Sequence, residues 1–423
     1  MAFKKDNDTK FFLKTPFFYG WIIVGMGALA SFFSGPGQTF SISIFIDVYI
    51  EHFGWSRTYV SGIYSAATLV SGLLIFSMGR LIDRFGHRTM AVVVGLSLGL
   101  ACLWSSFIFT PWMLFVAFLL LRYFGQGSMM ILPVTLIPQW FVKKRGIALS
   151  IAYLGNVMAF AMFPPINNWI INNWGPEAAW MFWAFALLFL FTPITYLFIR
   201  NKPEHIGLSP YHDASAENNG QKKYEDSWTL KESSRAKQFW LILFCRALPP
   251  MIETGIIFHM VSIMGERGIL PSTTAFIMTT MAVVSFLATF LAGFIADRVK
   301  AHYILAASFL VQIVAMLLLL TSSSVFIAFT FGILWGITMG FEKIAGMIIW
   351  PNYFGREHIG SIIGVERATG IVSSALGPVL FGFAFDQLSG YREMIIVVIA
   401  ISFLGILAAI FSTQPQKKGA NSS

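Results

Sequence analysis

Long apolar runs alternate with short polar segments along the 423 residues of the chain. A helix that crosses a lipid bilayer needs about 20 mostly apolar residues. Runs of that length predict spanning helices, numbered here spans 1 to 12, at about 17–45, 58–79, 89–110, 112–138, 146–171, 178–199, 239–264, 272–296, 302–321, 324–350, 360–384 and 391–412. The pattern therefore predicts an all-α integral membrane protein.

A polar segment divides the spans into two groups of six. It covers 201–237, is rich in Lys, Glu, Asn and Ser, and has too few apolar residues to form a core. We expect an N-terminal six-helix bundle at 1–200, a cytoplasmic linker at 201–237, a C-terminal six-helix bundle at 238–412 and a cytoplasmic tail at 413–423. A small folded domain is the alternative for the linker.

The distribution of basic residues predicts the orientation in the membrane. Most of the 29 Lys and Arg residues fall on the side that holds the linker and both termini, whereas Arg57, Arg267 and Arg392 fall on the other side. Cytoplasmic segments of membrane proteins carry such an excess. We therefore expect both termini to be cytoplasmic and the protein to lie in the cell (inner) membrane.

Composition excludes several other classes. Charged residues make up 12% of the chain and hydrophobic residues 56%, whereas a soluble domain has about a quarter charged residues. The net charge of +9 comes from basic residues scattered over short connections, so it indicates topology and not nucleic-acid binding. Cys102 and Cys245 fall inside apolar runs, which argues against a disulfide framework, and the polar start of the chain is unlike a signal peptide.

A charged turn occurs twice, half a chain apart, and each copy lies between two apolar runs. The copies share a glycine, an aspartate and an arginine, which are Gly79, Asp83 and Arg84 in the first and Gly293, Asp297 and Arg298 in the second. Such a repeat indicates a duplicated membrane protein whose halves have the same orientation. Parallel repeats of this kind are typical of transporters.

We expect the repeated turn to control conformational change. Gly79 and Gly86 would permit close backbone approach and a sharp reversal, and Asp83 would latch the two bundles on the cytoplasmic side. The alternative is that the arginines of the turn only enforce topology. The expected gating residues are Gly79, Asp83, Arg84, Gly86, Asp297 and Arg298.

The first copy of the turn resembles the signature of the major facilitator superfamily between helices 2 and 3. Residues 79–88 match its pattern G-x-L-x-D-R-x-G-x-[RK], and 122–127 fit its second motif on helix 4. Segments at 53–57, 140–148 and 353–361 are similar to the monocarboxylate transporters and their bacterial relatives, including the oxalate/formate exchangers. The resemblance implies two six-helix bundles and small organic acids as substrates, often moved with a proton.

Helix 8 departs from these relatives at one position. They commonly carry an arginine there, four residues before the glycine of the second turn, which pairs with the substrate carboxylate. Thr289 occupies that position in this chain, and Ser285 occupies that of a nearby aspartate in the monocarboxylate transporters. Either another cation replaces the arginine, or the substrate is not a simple carboxylate.

Span 7 carries a cation and an acid on one face. Arg246 is followed by Pro249 and Pro250, which break the hydrogen-bond ladder of the helix. Glu253 comes two turns after Arg246. Because an ionisable side chain inside a membrane costs about 2.5–3.5 kcal/mol on insertion scales, a role is expected for each. We expect Arg246 to bind the substrate and Glu253 to carry a proton, with an internal structural pair as the alternative.

Further polar residues inside the spans extend the candidate set. Arg122 on span 4 and Lys343 on span 10 could also supply counter-charge to an anion, and Glu342 is a second candidate for proton coupling. The alternative for Arg122 is a structural arginine bonded to helix carbonyls. The expected substrate-binding residues are Arg246, Arg122, Lys343, Gln38 and Tyr123.

Several other polar residues have structural interpretations. Gln38 belongs to a softened stretch of span 1, where a gating kink is the alternative to substrate contact. Asn156 is expected to join neighbouring helices, and Glu366 to have a structural role. His259 is expected to be a packed, hydrogen-bonded residue, with a proton relay as the alternative.

These features predict a secondary active transporter that works by alternating access. The chain has no phosphate-binding loop, nucleophile motif, metal-ligand cluster or cofactor fingerprint, so we expect neither enzyme activity nor a cofactor. The expected substrate is a small, monocarboxylate-like organic anion taken up with a proton by a monomer. Proton-driven efflux of a bulkier or more apolar solute is the alternative, and a membrane enzyme or a transporter-like sensor is a third hypothesis.

Overall fold

The computed structural model describes residues 17–141, 144–209, 211, 228–296, 298–321, 324–355 and 359–415. Within these ranges twelve helices are long and apolar enough to span a membrane. They are α1 (Gly20–Phe53), α2 (Arg57–Phe85), α3 (His87–Ser105), α4 (Pro111–Trp140), α5 (Arg145–Trp174), α6 (Pro176–Phe198), α7 (Lys237–Phe258), α8 (Pro271–Ala296), α9 (Ala301–Thr321), α10 (Val325–Phe354), α11 (Ile359–Leu388) and α12 (Arg392–Phe411). The predicted all-α membrane fold is confirmed.

Some helices are longer than their apolar runs. α1 continues to Phe53 and α10 to Phe354, where Gly355 ends the helix with a φ of +74°. The 30 residues of α10 make a helix of about 45 Å, which exceeds the bilayer's hydrocarbon thickness of about 30 Å. The ends of such helices can carry polar residues, and an apolar run therefore underestimates their length.

A short 3₁₀ turn interrupts α1 at mid-length. It covers Gly35–Gly37, and Gln38 then has extended backbone, with φ −85° and ψ 147°, before the α-helix resumes at Thr39. Pro36 has no N–H to donate to the helix, and the flanking glycines lower its stability. The interruption leaves backbone groups of α1 available to other partners.

Two compact units divide the chain by packing. The first comprises 1–42 and 70–220, and the second comprises 43–69 and 221–423. The end of α1 and the start of α2 thus belong with the second half of the chain, where Tyr64 packs on Phe258 at 4.5 Å between ring centroids. The predicted bundle boundary at 200 follows chain order, whereas the units follow contacts.

Glycines set the helix spacing in the second unit. Gly332, Gly336 and Gly340 recur every fourth residue of α10 and face α8. A Cβ atom at Gly336 would lie only 2.8 Å from the carbonyl oxygen of Met281. Small residues at this spacing allow close helix packing in membranes. The contact fixes the position of α10, which carries Glu342 and Lys343 in the next turn.

Large apolar side chains cover much of the outer surface of the helices. Leu73 is 74% exposed, Phe294 is 73% exposed and Phe326 is 80% exposed. Soluble monomers rarely expose apolar patches of more than a few hundred Å², so a surface rich in such side chains suits lipid. The structure therefore supports embedding in a membrane.

The central part of the predicted linker, 212–227, lies outside the described residues, as does 416–423 of the predicted tail. The described ends of the linker contain a 3₁₀ turn at Pro203–Ile206 and a short helix at Leu230–Ser233. Thr229 caps that helix reciprocally with Glu232.

Candidate functional site

Two irregular helix segments meet in the first unit. α4 is π-helical over Leu121–Met129, and this stretch faces the 3₁₀ turn Gly35–Gly37 of α1. A Cβ atom at Gly125 would lie 2.7 Å from the Cα atom of Gly37, so the two backbones touch directly. π-Helical stretches occur frequently at functional sites, and irregular backbone at membrane depth is tolerated where protein buries it.

Arg122 lies in the π-helical stretch and contacts the interruption of α1. Its side chain is 3% exposed, and its Nη1 donates to the carbonyl of Gly37 and to Thr39 Oγ1, both at 3.4 Å. These bonds are long for N–H···O geometry. The placement agrees with a structural arginine bonded to a helix carbonyl, and substrate binding by Arg122 stays a prediction.

Gln38 and Tyr123 lie on the same two segments. Gln38 is 9% exposed and donates from Nε2 to Ser34 Oγ at 3.1 Å. The Tyr123 hydroxyl is 2.9 Å from Ser77 Oγ on α2. The structure thus brings three predicted substrate residues of the first unit onto adjoining segments, and their contact with substrate stays a prediction.

Asn167 is a buried polar residue of the first unit that sequence reasoning missed. Its Nδ2 donates to Ser41 Oγ at 3.0 Å, and its Oδ1 accepts from Trp183 Nε1 at 2.6 Å. It is 0% exposed and joins α1, α5 and α6. An asparagine inside an apolar span is the signal that could have identified Asn167. The same signal identified Asn156, whose Nδ2 lies 3.9 Å from Met130 Sδ on α4.

Arg246 joins three helices of the second unit. Its Nε donates to Glu366 Oε1 on α11 at 2.6 Å, and its Nη1 donates to the carbonyl of Glu342 on α10 at 3.0 Å. The two charged side chains are 18% and 15% exposed. The guanidinium occupies the space left by Gly346, where a Cβ atom would collide with it. Glu366 was expected to be structural, and its pairing with Arg246 was missed.

The prolines of α7 do not end the helix. The α-helix runs without interruption over Lys237–Phe258, with Pro249 and Pro250 inside it. The expected break is therefore limited to the two hydrogen bonds that proline cannot donate, which frees the carbonyls of Cys245 and Arg246. The α-helix is interrupted later, at His259, before the short helix Met260–Gly265.

A narrow cavity brings together the two acids predicted for proton coupling. It is lined by Pro249 and Glu253 of α7, Gln312 of α9, and Trp335, Thr338, Met339 and Glu342 of α10. Lys343 interacts electrostatically with Glu253, so the second predicted cation is coupled to one of these acids.

We call Arg246, Glu253, Glu342, Lys343 and Glu366 the charge cluster. The cluster combines two cations with three carboxyl groups on α7, α10 and α11 of the second unit. The other charged residues of these helices, Lys237, Arg367 and Asp386, are exposed. α8 adds no charge within Pro271–Ala296, and Thr289 Oγ1 donates to the carbonyl of Ser285 at 2.7 Å. Among the residues of α7, α8, α10 and α11 that are not exposed, the cations that could face an anion are Arg246 on α7 and Lys343 on α10.

His259 is hydrogen-bonded on both ring nitrogens. Its Nε2 lies 2.9 Å from the carbonyl of Pro378 and 3.2 Å from Ser61 Oγ, and its Nδ1 lies 3.0 Å from the Tyr391 hydroxyl. A carbonyl only accepts, so Nε2 carries the proton, and the donor available to Nδ1 is the Tyr391 hydroxyl, which also lies 3.1 Å from Ser262 Oγ. Burial raises the pKa of the Tyr391 hydroxyl, which keeps it a donor. These contacts agree with the packed histidine that the sequence favoured.

An ion pair and a helix start lie beside this histidine in the second unit. Arg57 pairs with Asp47, and its guanidinium lies 4.5 Å from the ring centroid of Phe385. The N–H of Thr58 donates to Asp386 Oδ2 at 2.8 Å. These bonds attach the start of α2 to α11, and they explain why 43–69 belongs to this unit.

The first copy of the repeated turn reverses at Gly86 and not at Gly79. Gly86 has a φ of +81°, and the backbone N–H of Arg88 donates to Asn201 Oδ1 at 2.8 Å. Gly79 lies inside α2, and a Cβ atom there would meet no described atom within 4 Å. The close approach expected at Gly79 is therefore wrong for this structure, because the reversal occurs seven residues later.

The other charged gating residues predicted in the repeated turn are exposed or lie outside the described residues. Asp83 is exposed and interacts electrostatically with His87, and the Arg84 guanidinium lies 5.2 Å from the ring centroid of Phe85. Arg298 is exposed, whereas Asp297 lies outside the described residues. The gating role of the turn stays a prediction. In the described part of the chain, no group of three His, Cys, Asp or Glu side chains could hold a metal ion.

Comparison with known proteins identifies the family. The sequence profile described as Major Facilitator Superfamily matches residues 27–263 and 239–423. The chain belongs to the major facilitator superfamily. As a major facilitator it is a multi-pass membrane transporter, and its partners are the lipid bilayer and a small-molecule solute.

Similar transporters occur in fungi, bacteria and mammals. MFS-type transporter 1 of Ophiocordyceps sp. is 24% identical over 401 residues, which cover 92% of this chain and 84% of that protein. The uncharacterized MFS-type transporter YcxA of Bacillus subtilis is 24% identical over 393 residues, covering 88% and 89%. Human monocarboxylate transporter 2 is 20% identical over 408 residues, covering 89% and 81%.

Solved structures of other major facilitators share the fold. A bacterial homologue of the human lysosomal transporter Spinster, in an inward-facing and occupied conformation, has a TM-score of 0.74 at 12% identity and covers 94% of this chain and 97% of that chain. The nucleoside transporter NupG has a TM-score of 0.72 at 11% identity, with coverage of 93% and 100%. At such identities the likeness concerns the fold alone.

Proposed function

We propose that this major facilitator imports a small, monocarboxylate-like organic anion together with a proton, by alternating access. The proposal places it in the cell (inner) membrane as a monomer with both termini in the cytoplasm. The observation that carries the proposal is the charge cluster of the second unit. Ionisable groups at membrane depth mark substrate and proton pathways, and this cluster holds both signs of charge.

The balance of charges in the cluster links a proton to an anion. When every group is ionised, the carboxylates Glu253, Glu342 and Glu366 outnumber the cations Arg246 and Lys343. The excess negative charge opposes the entry of an anion. A proton bound to one carboxylate removes that excess, so an anion can then interact with a cation in a region of low dielectric constant. Binding of the anion would therefore require the proton.

Lys343 is the cation that we assign to the substrate carboxylate. Arg246 already has Glu366 at 2.6 Å, which neutralises its charge and fixes its orientation. Lys343 interacts with Glu253, and its ammonium group is a compact charge on a flexible stem. In this proposal it replaces the helix-8 arginine whose position is taken by Thr289.

The relatives agree with this substrate class. Monocarboxylate transporter 2 of human and of Rattus norvegicus each match 89% of the chain, at 20% and 21% identity. Their name states monocarboxylates as their substrates. The identity is low, so the relatives support the class of substrate and not a particular acid.

Uptake into liposomes that contain the purified protein tests the proposal. A more acidic outer solution is expected to drive accumulation of a labelled monocarboxylate such as lactate or formate, and a protonophore is expected to abolish it. Lys343→Met is expected to lose the accumulation, whereas the control Lys237→Met, at the exposed start of α7, retains it. Equal uptake by wild type with and without the proton gradient contradicts proton coupling.

The same liposomes test the alternative of efflux. The absence of a charged residue on α8 suits a bulkier or more apolar solute as well as an anion bound elsewhere. If the protein expels a hydrophobic dye under the proton gradient and accumulates none of the organic acids, the efflux alternative replaces the proposal.

A further inference from the structure

Two buried polar atoms beside the Glu253–Glu342 cavity have no hydrogen-bond partner among the described residues. They are Gln312 Oε1 on α9 and Trp335 Nε1 on α10. Both side chains line the cavity, and they are 1% and 2% exposed. A buried polar atom without a partner costs about 1–3 kcal/mol, so each such atom in a native protein needs a physical explanation.

These two atoms are complementary to a neutral carboxylic acid. Gln312 Oε1 accepts one hydrogen bond and Trp335 Nε1–H donates one, whereas a protonated carboxyl group has one O–H donor and a carbonyl acceptor. An ionised carboxylate only accepts, so it cannot bond to Gln312 Oε1. The hydroxyl of the cavity wall, Thr338 Oγ1, already donates to the carbonyl of Leu334 at 3.1 Å.

Glu342 matches these partners better than Glu253 does. Glu342 is 7% exposed, and the Arg246 guanidinium that could neutralise it is already paired with Glu366 at 2.6 Å. Glu253 has the Lys343 ammonium as its charge partner. Glu342 and Gln312 line the same cavity, so a protonated Glu342 can supply the donor that Gln312 Oε1 lacks.

Few other ionisable groups face Glu342 from the helices packed on α10. On α7, Arg246 donates to the Glu342 carbonyl at 3.0 Å and is held by Glu366 of α11. α8 has no ionisable side chain within its described length. On α9 the ionisable residues are His302 and Tyr303, both in its first turn. The charge state of Glu342 therefore depends mainly on Glu253, Arg246 and the polar atoms of the cavity.

We propose that Glu342 binds the transported proton, and that Gln312 and Trp335 are positioning residues of its carboxyl group, Gln312 for the protonated form alone and Trp335 for both forms. A proton adds to one carboxylate oxygen of Glu342. The new O–H donates to Gln312 Oε1, and Trp335 Nε1–H donates to the carbonyl oxygen of the acid. Release of the proton to water restores the carboxylate, which can no longer bond to Gln312. This inference rests on the proposed proton coupling and assigns the proton to one of the two candidate acids.

Opposite shifts in the pH dependence of uptake test the role of the two positioning residues. Gln312→Met removes the acceptor for the O–H, so the midpoint of proton-driven uptake is expected about half to one pH unit lower. Trp335→Phe removes a donor that bonds more strongly to a carboxylate than to an acid, so the midpoint is expected to be higher. Thr338→Val is the control, because its hydroxyl is already satisfied, and its midpoint should equal that of wild type. Unmoved midpoints, or shifts in the same direction, overturn the proposal.

Substitution of the two acids tests which of them carries the proton. Glu342→Gln is expected to lose proton-driven accumulation and to retain exchange of internal for external anion. Proton-driven accumulation by Glu342→Gln overturns the assignment. Infrared difference spectra between acid and neutral pH are expected to show the same protonated carboxyl band in wild type and in Glu253→Gln. Loss of that band in Glu253→Gln also overturns the assignment of the proton to Glu342. A wild-type protein that accumulates no anion contradicts the proposed function, whereas proton-driven uptake with unmoved midpoints contradicts this inference alone.

Discussion

Replacement of Glu366 by glutamine tests the ion pair that fixes Arg246. The Nε–Oε1 distance is 2.6 Å, and the two side chains are 18% and 15% exposed. Glutamine keeps the shape and the acceptor of the side chain but removes its charge. Removing one partner of a buried pair costs about 3–5 kcal/mol, because the other charge stays buried and uncompensated, whereas an exposed pair contributes about 0–1 kcal/mol.

We expect Glu366→Gln to lower the free energy of unfolding by about 2–3 kcal/mol, below the fully buried range. The reduction has two reasons: the pair is partly accessible, and Arg246 keeps its 3.0 Å bond to the Glu342 carbonyl. Reversible unfolding in mixed micelles measures this quantity. A double-mutant cycle with Arg246→Gln is expected to give a coupling energy of about 2 kcal/mol.

The matched control is Glu393→Gln, which removes a carboxylate at the exposed start of α12. Its effect should stay within about 0.5 kcal/mol of wild type, as for most surface substitutions. A coupling energy below about 0.5 kcal/mol between Arg246 and Glu366 would equal that of a surface pair. That result would refute the reasoning that Glu366 neutralises a buried cation.

Three further substitutions test the packing and the turn. Gly336→Ala places a Cβ atom 2.8 Å from a carbonyl oxygen of α8 and should lower the melting temperature. The control Gly364→Ala places a Cβ atom with no described atom within 4 Å and should leave the melting temperature unchanged, so equal melting temperatures of the two variants contradict the close packing of α10. Asn167→Leu leaves the buried indole N–H of Trp183 without its acceptor and should lower the free energy of unfolding by about 1–3 kcal/mol. The control Asn156→Leu should lower it by less, and equal losses contradict the role of Asn167. Asp83→Asn should slow anion flux sharply at an unchanged amount of protein in the membrane, and normal flux contradicts the gating role of the turn.

The positions of the spanning helices could be predicted because hydropathy alone determines them. Each apolar run long enough to cross a bilayer became a helix, from α1 to α12. The irregular stretches of these helices were harder to predict from the sequence. Proline and glycine marked the interruption at Gly35–Gly37. The π-helical stretch Leu121–Met129 contains Gly125 and Gly127 but no proline, and an extra residue per turn leaves its hydropathy unchanged.

The members of the candidate site could be predicted one by one, but not their partners. Arg246, Glu253 and Glu342 were found because a charge inside an apolar run is costly and therefore conspicuous. Glu366 lies 120 residues from Arg246, and only the packing of α7 on α11 brings the pair together. Gln312 and Trp335 were missed for a different reason. A single amide or indole inside a span is ordinary until the structure shows what surrounds it.

Proton movement driven by the anion itself tests the central claim most directly. Liposomes that contain the protein and an internal pH-sensitive dye are exposed to an inward gradient of a monocarboxylate, with no pH difference imposed. We predict that the interior acidifies as labelled anion enters, and that Lys343→Met and Glu342→Gln abolish the acidification. Entry of labelled anion without acidification in the wild-type protein contradicts the claim that anion and proton cross together.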